Sequence, residues 1–125
     1  MVKETGYLES LMNLLTISQV SRRVDLSAYT LRYYEKMGLI VDVIRDASGK
    51  RAYKESHVCF INCVKSLKAT GMPLKIIKQY GEAYLSNDKD SMQEILKVHR
   101  KKILEDMAAF KEHLVVVEQR IMGEF

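Results

Sequence analysis

Long apolar runs are missing from this 125-residue chain. No stretch reaches the roughly 18 consecutive apolar residues that a membrane-spanning helix needs. The amino terminus also lacks the basic-then-apolar layout of a secretory leader, so a cytoplasmic protein with no membrane contact is expected. Cysteine is scarce. Cys59 and Cys63 stand four apart on what reads as one helix, where a mutual disulfide is strained, and nothing else points to an oxidising compartment. The three histidines, His57, His99 and His113, are scattered, no nucleophile and base are paired by spacing, and there is no glycine-rich phosphate loop. These absences argue against an enzyme and give no reason to expect a cofactor.

What is present is positive charge, unevenly spread. The formal net charge is +4. Residues 14–84 carry twelve Lys or Arg against six Asp or Glu, whereas residues 85–125 carry seven against eight. A basic segment joined to a near-neutral one is the footprint of a polyanion-binding module with an appended helix, although a merely solvated basic face has the same composition.

Periodicity divides the chain at similar places. Residues 1–13 read as a leader. Thr16 and Gln19 have capping-box spacing, and Ile17, Val20 and Val24 form an apolar stripe, predicting a first helix over about 16–23. Ser27 caps a second, with Leu31 and Tyr34 inward and Tyr33 as an alternative inner position, Tyr29, Thr30 and Arg32 nearer the outside, and Gly38 at its end. Two short helices with a tight connection make a helix-turn-helix. The β-branched stretch from Leu39 to Arg45, the turn "DASGK" and Arg51–Tyr53 then predict a two-stranded wing with Arg45, Lys50 and Arg51 around its tip. A helix over 55–70 ends at Gly71, and Pro73 opens the next one.

The last segment is the most regular. Between about Asp88 and Met122, the residues Met92, Ile95 or Leu96, His99, Ile103, Met107, Phe110, Leu114, Val117 and Ile121 recur at steps of three or four among charged residues. A helix this exposed is marginal alone. Its cover is expected to be the same stripe of a second copy; folding back onto its own first domain is the alternative.

The strings "LTISQVSRRVDLSAYTLRYYEKMGLI", "RDASGKRAY" and "LKATGMPLKII" together resemble the MerR family of bacterial transcription regulators over about Leu15 to Tyr84. The combination "TLRYYE…GL" with a "G-x-R-x-Y" wing at this distance carries the resemblance. It implies a mainly α protein: a winged helix-turn-helix DNA-binding domain with a small β-hairpin wing over 14–84, followed by an antiparallel coiled-coil dimerisation helix over 85–125. It also implies a homodimer that binds a palindromic promoter operator on double-stranded DNA. Such a dimer distorts promoters whose recognition elements are too far apart for RNA polymerase, and so represses or activates transcription.

Residue by residue, Arg32 supplies a planar fork of donors for a guanine edge or a phosphate, and Tyr33 a hydroxyl on a stiff arm. Tyr29 and Thr30, at the start of the second helix, sit where base-edge contacts usually lie. Arg45, Lys50 and Arg51 surround one turn and suit phosphates, with Tyr53 completing the wing motif. Ser18 adds a phosphate contact near a helix start. Tyr34 reads as core with a satisfied hydroxyl. Ile95, His99, Ile103, Met107, Phe110, Leu114, Val117 and Ile121 are the expected dimer contacts.

The chain departs from the family pattern at Asp42, where proline is common, at Ile44, where arginine often stands, and at Lys50, where an aromatic is usual. No metal is expected, because no cysteine follows Cys63; a site from His57, Cys59 and Cys63 is formally possible but outweighed by ordinary burial. The thiol-stress branch carries a sensor cysteine where "SLKATGM" places Ser66, and Cys63 one turn earlier, near Lys65 and Lys68, leaves electrophile sensing open. A helical protein–protein adaptor with incidental DNA contact is the alternative function.

Overall fold

The computed structural model describes residues 13–124, so the leader expected over 1–13 lies, apart from Asn13, outside the described residues. In chain order the elements are β1 (Leu15–Thr16), α1 (Ile17–Val24), α2 (Ala28–Lys36), β2 (Ile44–Arg45), β3 (Arg51–Tyr53), α3 (Glu55–Ala69), α4 (Leu74–Leu85) and α5 (Lys89–Ile121). Two compact units divide between Lys78 and Gln79, within α4.

Local chemistry sets the helix limits of the first unit. The Thr16 hydroxyl accepts from the Gln19 N–H at 3.1 Å while the Gln19 side chain accepts from the Thr16 N–H at 2.8 Å, so two orphan donors of α1 are satisfied reciprocally. Asp25, at φ 53°, closes that helix in the left-handed region. Ser27 Oγ accepts from the Thr30 N–H at 3.0 Å and starts α2, which Gly38 ends at φ +79°.

Packing then follows helical spacing. Val20 and Val24 of α1, Leu31 and Tyr34 of α2, and Val58, Ile61 and Val64 of α3 form one core with Leu39, Ile40, Tyr53, Met72 and Ile77. Lys68 sits above the Tyr34 ring, 5.8 Å from its centroid, and donates to its hydroxyl across a long 3.5 Å, so Tyr34 is the core residue its position predicted.

The sheet exceeds expectation by one strand. β3 is central in the order β1-β3-β2, both neighbours antiparallel, with Leu15 opposite Tyr53 and Ile44 opposite Ala52. The expected strand over Leu39–Arg45 shrinks to its last two residues. Leu39 and Ile40 are drawn into the core as α2 ends, and Asp42 turns the chain at φ +60°, so pairing begins only beyond it. The hairpin tip closes with the Asp46 N–H donating to Lys50 O at 2.8 Å and Gly49 at φ +82°.

In the second unit, Asp88 caps the 33-residue α5 by accepting from the Ser91 N–H at 3.1 Å and the Ser91 hydroxyl at 2.6 Å. Those two bonds hold its carboxyl below the usual range. At 1.5 Å per residue, α5 is about 50 Å long. None of its residues is buried, and Phe110 is 70% exposed. No helix among the described residues is long and apolar enough to cross a membrane.

Ile61 is fully buried on the middle of α3. Truncation to alanine is expected to cost about 2–5 kcal/mol, read as a lower urea midpoint with unchanged slope.

Candidate nucleic-acid interface

Three distant segments meet in the first unit. A cleft of about 490 Å³ is lined by Thr16, Ile17 and Ser18 from the start of α1, Arg32 from α2, and Arg45, Asp46, Gly49, Lys50 and Arg51 from the wing. Of the nine residues expected at DNA, this brings together Ser18, Arg32, Arg45, Lys50 and Arg51. Arg32 and Lys50 are exposed, and neither side chain makes a hydrogen bond or ion pair among the described residues. Thr16, Ile17, Asp46 and Gly49 were not foreseen; the first two join the lining because β1 pairs with β3, Leu15 with Tyr53 and Thr16 with Ala52, a long-range pairing that no local pattern announces, and the last two come with the hairpin turn.

The wing cations differ in how tightly they are held. Arg45 donates from Nη1 to Gly49 O at 3.0 Å, bracing the hairpin. Asp46 accepts through Oδ1 from the Ser48 hydroxyl, from the Lys50 N–H and from the Ser48 N–H, which keeps its carboxyl ionised to lower pH than usual. Its charge therefore shapes the turn. Arg51 donates from Nε to Glu35 Oε2 at 2.6 Å, and the two side chains are 22% and 26% exposed.

The remaining expected residues fall elsewhere. Tyr29 (78% exposed) and Tyr33 are on the outer side of α2, and Thr30 is half-buried with its hydroxyl 2.9 Å from that of Ser27. These three are outside the cleft lining. Tyr53, expected at the DNA, is fully buried instead, its ring packed edge-on against His57 of α3. Burial raises its phenol pKa, with the Glu35 charge adding to the effect, and its hydroxyl has no hydrogen-bond partner among the described residues. On α5, Ile95 and His99 are half-buried, while Ile103, Met107, Phe110, Leu114, Val117 and Ile121 are exposed.

A sequence profile described as "MerR HTH family regulatory protein" matches residues 15–83. An uncharacterized HTH-type transcriptional regulator of Haemophilus influenzae is 32% identical over 109 residues, covering 85% of this chain and 80% of that protein. The uncharacterized HTH-type transcriptional regulator YyaN of Bacillus subtilis is 45% identical over 69 residues, 55% of this chain but only half of that protein's length. Among solved structures, HiNmlR, a MerR family regulator lacking the sensor domain and bound to promoter DNA, superposes with a TM-score of 0.70 at 28% identity, covering 87% of this chain and 88% of that one.

The residues considered for sensing are arranged less favourably. His57 accepts through Nδ1 from the Lys54 N–H at 2.9 Å, which leaves Nε2 to donate to Val41 O at 2.8 Å; both ring nitrogens are committed to bracing the wing. No group of three or more His, Cys, Asp or Glu among the described residues comes close enough to hold a metal ion. Cys63 is half-buried, and burial pushes its thiol pKa up. The lysines near it in sequence are engaged elsewhere: Lys65 donates to Val24 O at 2.8 Å, and Lys68 reaches Tyr34. Cys59 is exposed.

A raised pKa keeps Cys63 in the unreactive thiol form until the pH exceeds the ordinary thiol range. Iodoacetamide at neutral pH is expected to label Cys59 first, with Cys63 labelling accelerating only under alkaline conditions, as followed by peptide mass spectrometry.

Proposed function

The chain belongs to the MerR family of helix-turn-helix regulatory proteins, and from that premise we propose that it binds a palindromic promoter operator as a homodimer and distorts it to repress or activate transcription. In this reading, residues 14–84 read the DNA and residues 85–125 pair the subunits as an antiparallel coiled coil. RNA polymerase is the partner at the promoter. The setting is the cytoplasm, and no catalytic step is involved.

One observation carries the reading: a serine at the start of α1, one cation from α2 and three from the wing line a single cleft. Converging cations suit phosphates, because each neutralised phosphate releases condensed counterions. Arg45, Lys50 and Arg51 then grip the flanking backbone, and Ser18 adds a phosphate contact. Arg32, Tyr29 and Thr30 lie on the helix that would enter the major groove, with Tyr33 reaching a phosphate. Bending a site of this size costs on the order of 1–6 kcal/mol, which several cationic contacts per subunit can offset. The exposed apolar stripe of α5 supports pairing, since a second copy of that stripe is a self-complementary cover.

Titration of operator and scrambled duplexes by fluorescence anisotropy tests this. The wild type is expected to favour an inverted repeat and to lose affinity steeply with salt, and Arg32→Ala to weaken operator binding by about 1–3 kcal/mol. Equal affinity for both duplexes would favour the helical adaptor. Leu114→Glu, which sets a carboxylate in the pairing stripe, is expected to convert dimers to monomers in sedimentation velocity.

A further inference from the structure

An arginine can pair through two edges of its guanidinium: the side edge, which includes Nε, and the terminal edge formed by the two Nη groups. Arg51 lines the cleft, yet its Nε is taken by Glu35 at 2.6 Å. Glu35 lies on the inner flank of α2, sixteen residues earlier, and is itself only partly exposed. The carboxylate thus engages the side edge and leaves the terminal edge as the pairing edge for a partner in the cleft. The fully buried Tyr53 is near enough for its phenol to register the charges of both Glu35 and Arg51. With side chains 22% and 26% exposed, the pair is screened less than the more exposed pair of Arg23 and Glu55.

We propose that Glu35 is a positioning residue that holds the Arg51 guanidinium side-on, so that its terminal edge meets one flanking phosphate in a fixed orientation and sets the register of the wing, and so of the reading helix, on the operator. This rests on the DNA-binding reading above and deepens it. A carboxylate beside a polyanion site costs long-range attraction, so its presence favours discrimination over bulk affinity. Rotational freedom of Arg51 is removed before binding, and that cost no longer falls on complex formation. Glu35 also ties α2 to β3, which couples the orientation of the reading helix to that of the wing.

The experiment measures affinity for operator and scrambled duplexes across a salt series for wild type, Glu35→Ala, Glu35→Gln, Arg51→Ala and the Glu35→Ala/Arg51→Ala pair, with circular dichroism melts alongside. Loss of one acidic group is expected to leave scrambled-DNA binding unchanged or tighter while operator preference falls about tenfold. Glu35→Gln, which retains an acceptor for the Nε–H, should keep more of that preference than Glu35→Ala. The double variant should discriminate no worse than Arg51→Ala alone. The idea is overturned by an unchanged operator preference in Glu35→Ala, by losses that add in the double variant, or by equal weakening on both duplexes, which would mark a purely structural contact. Should Glu35→Ala melt at the assay temperature, Glu35→Gln against Arg51→Lys carries the same comparison. A wild type without operator preference would refute the DNA reading itself, a different outcome from a wild type that discriminates and a Glu35 variant that does so equally well.

Discussion

Three residues, Arg51 to Tyr53, are hydrogen-bonded to a strand on each side, and the geometry of the cleft follows from that double pairing. Pairing with Leu15–Thr16 fixes the start of α1, including Ser18, beside the wing. Pairing with Ile44–Arg45 fixes the other arm of the hairpin. Within this strand Ala52 and Tyr53 are buried, while the partly exposed Arg51 side chain lines the cleft. A one-residue slip would carry Arg51 toward the buried position of Ala52. The large ring of Tyr53, packed edge-on against His57 at 5.9 Å, opposes such a slip. His57 in turn bridges the first turn of α3 to Val41, so the strand is braced from below as well as from both sides.

Charge in this unit is managed by giving acids structural tasks near the cations. Asp46 shapes the hairpin turn, Glu55 pairs with Arg23 between α3 and α1, and Glu35 anchors Arg51. The Arg23–Glu55 pair holds its carboxyl below the usual range through the shared hydrogen bond, but it is exposed and contributes little to stability. Its consequence is to remove Arg23 from the cations presented to a partner. Arg32 and Lys50 carry no such internal pairing among the described residues. The positive field at the cleft is thus narrower than the composition of residues 14–84 implies, and more directed.

Helices were legible because their limits are written in adjacent residues. Thr16 with Gln19, Ser27, Gly38, Gly71, Pro73 and Asp88 each act within four positions of themselves: α1, α2, α4 and α5 begin one residue after Thr16, Ser27, Pro73 and Asp88, and α2 and α3 end two residues before Gly38 and Gly71. On α2 the inward Leu31 and Tyr34 and the outward Tyr29 and Arg32 were readable, whereas Tyr33 is exposed and Thr30 half-buried. Contacts that span the chain were not. β1 is two residues long and pairs far down the sequence, and Glu35 and Arg51 belong to different elements. Tyr53 misled because its motif and its burial point in opposite directions: a wing tyrosine reads as a contact, but its ring packs into the core against His57. The thiol environment failed for a similar reason, since proximity in sequence says nothing of where a lysine's flexible stem leads, and both Lys65 and Lys68 serve the core edge instead.

The bare apolar stripe of α5 bears on how the cleft can be used. A single reading head offers a handful of cationic and polar groups, enough for weak, salt-sensitive attachment to any duplex. Discrimination requires the same few groups to be counted twice, and joining two heads turns the second encounter into an intramolecular one at high effective concentration. On the proposed pairing through the stripe, whose Leu114 and Val117 stay exposed in the single chain, coupling would be set by protomer concentration as well as by DNA. Operator occupancy would then rise more steeply than the first power of protein concentration until pairing saturates. A fixed, oriented arginine gains most in such an arrangement, because any advantage in angle at one half-site is repeated at the other by symmetry.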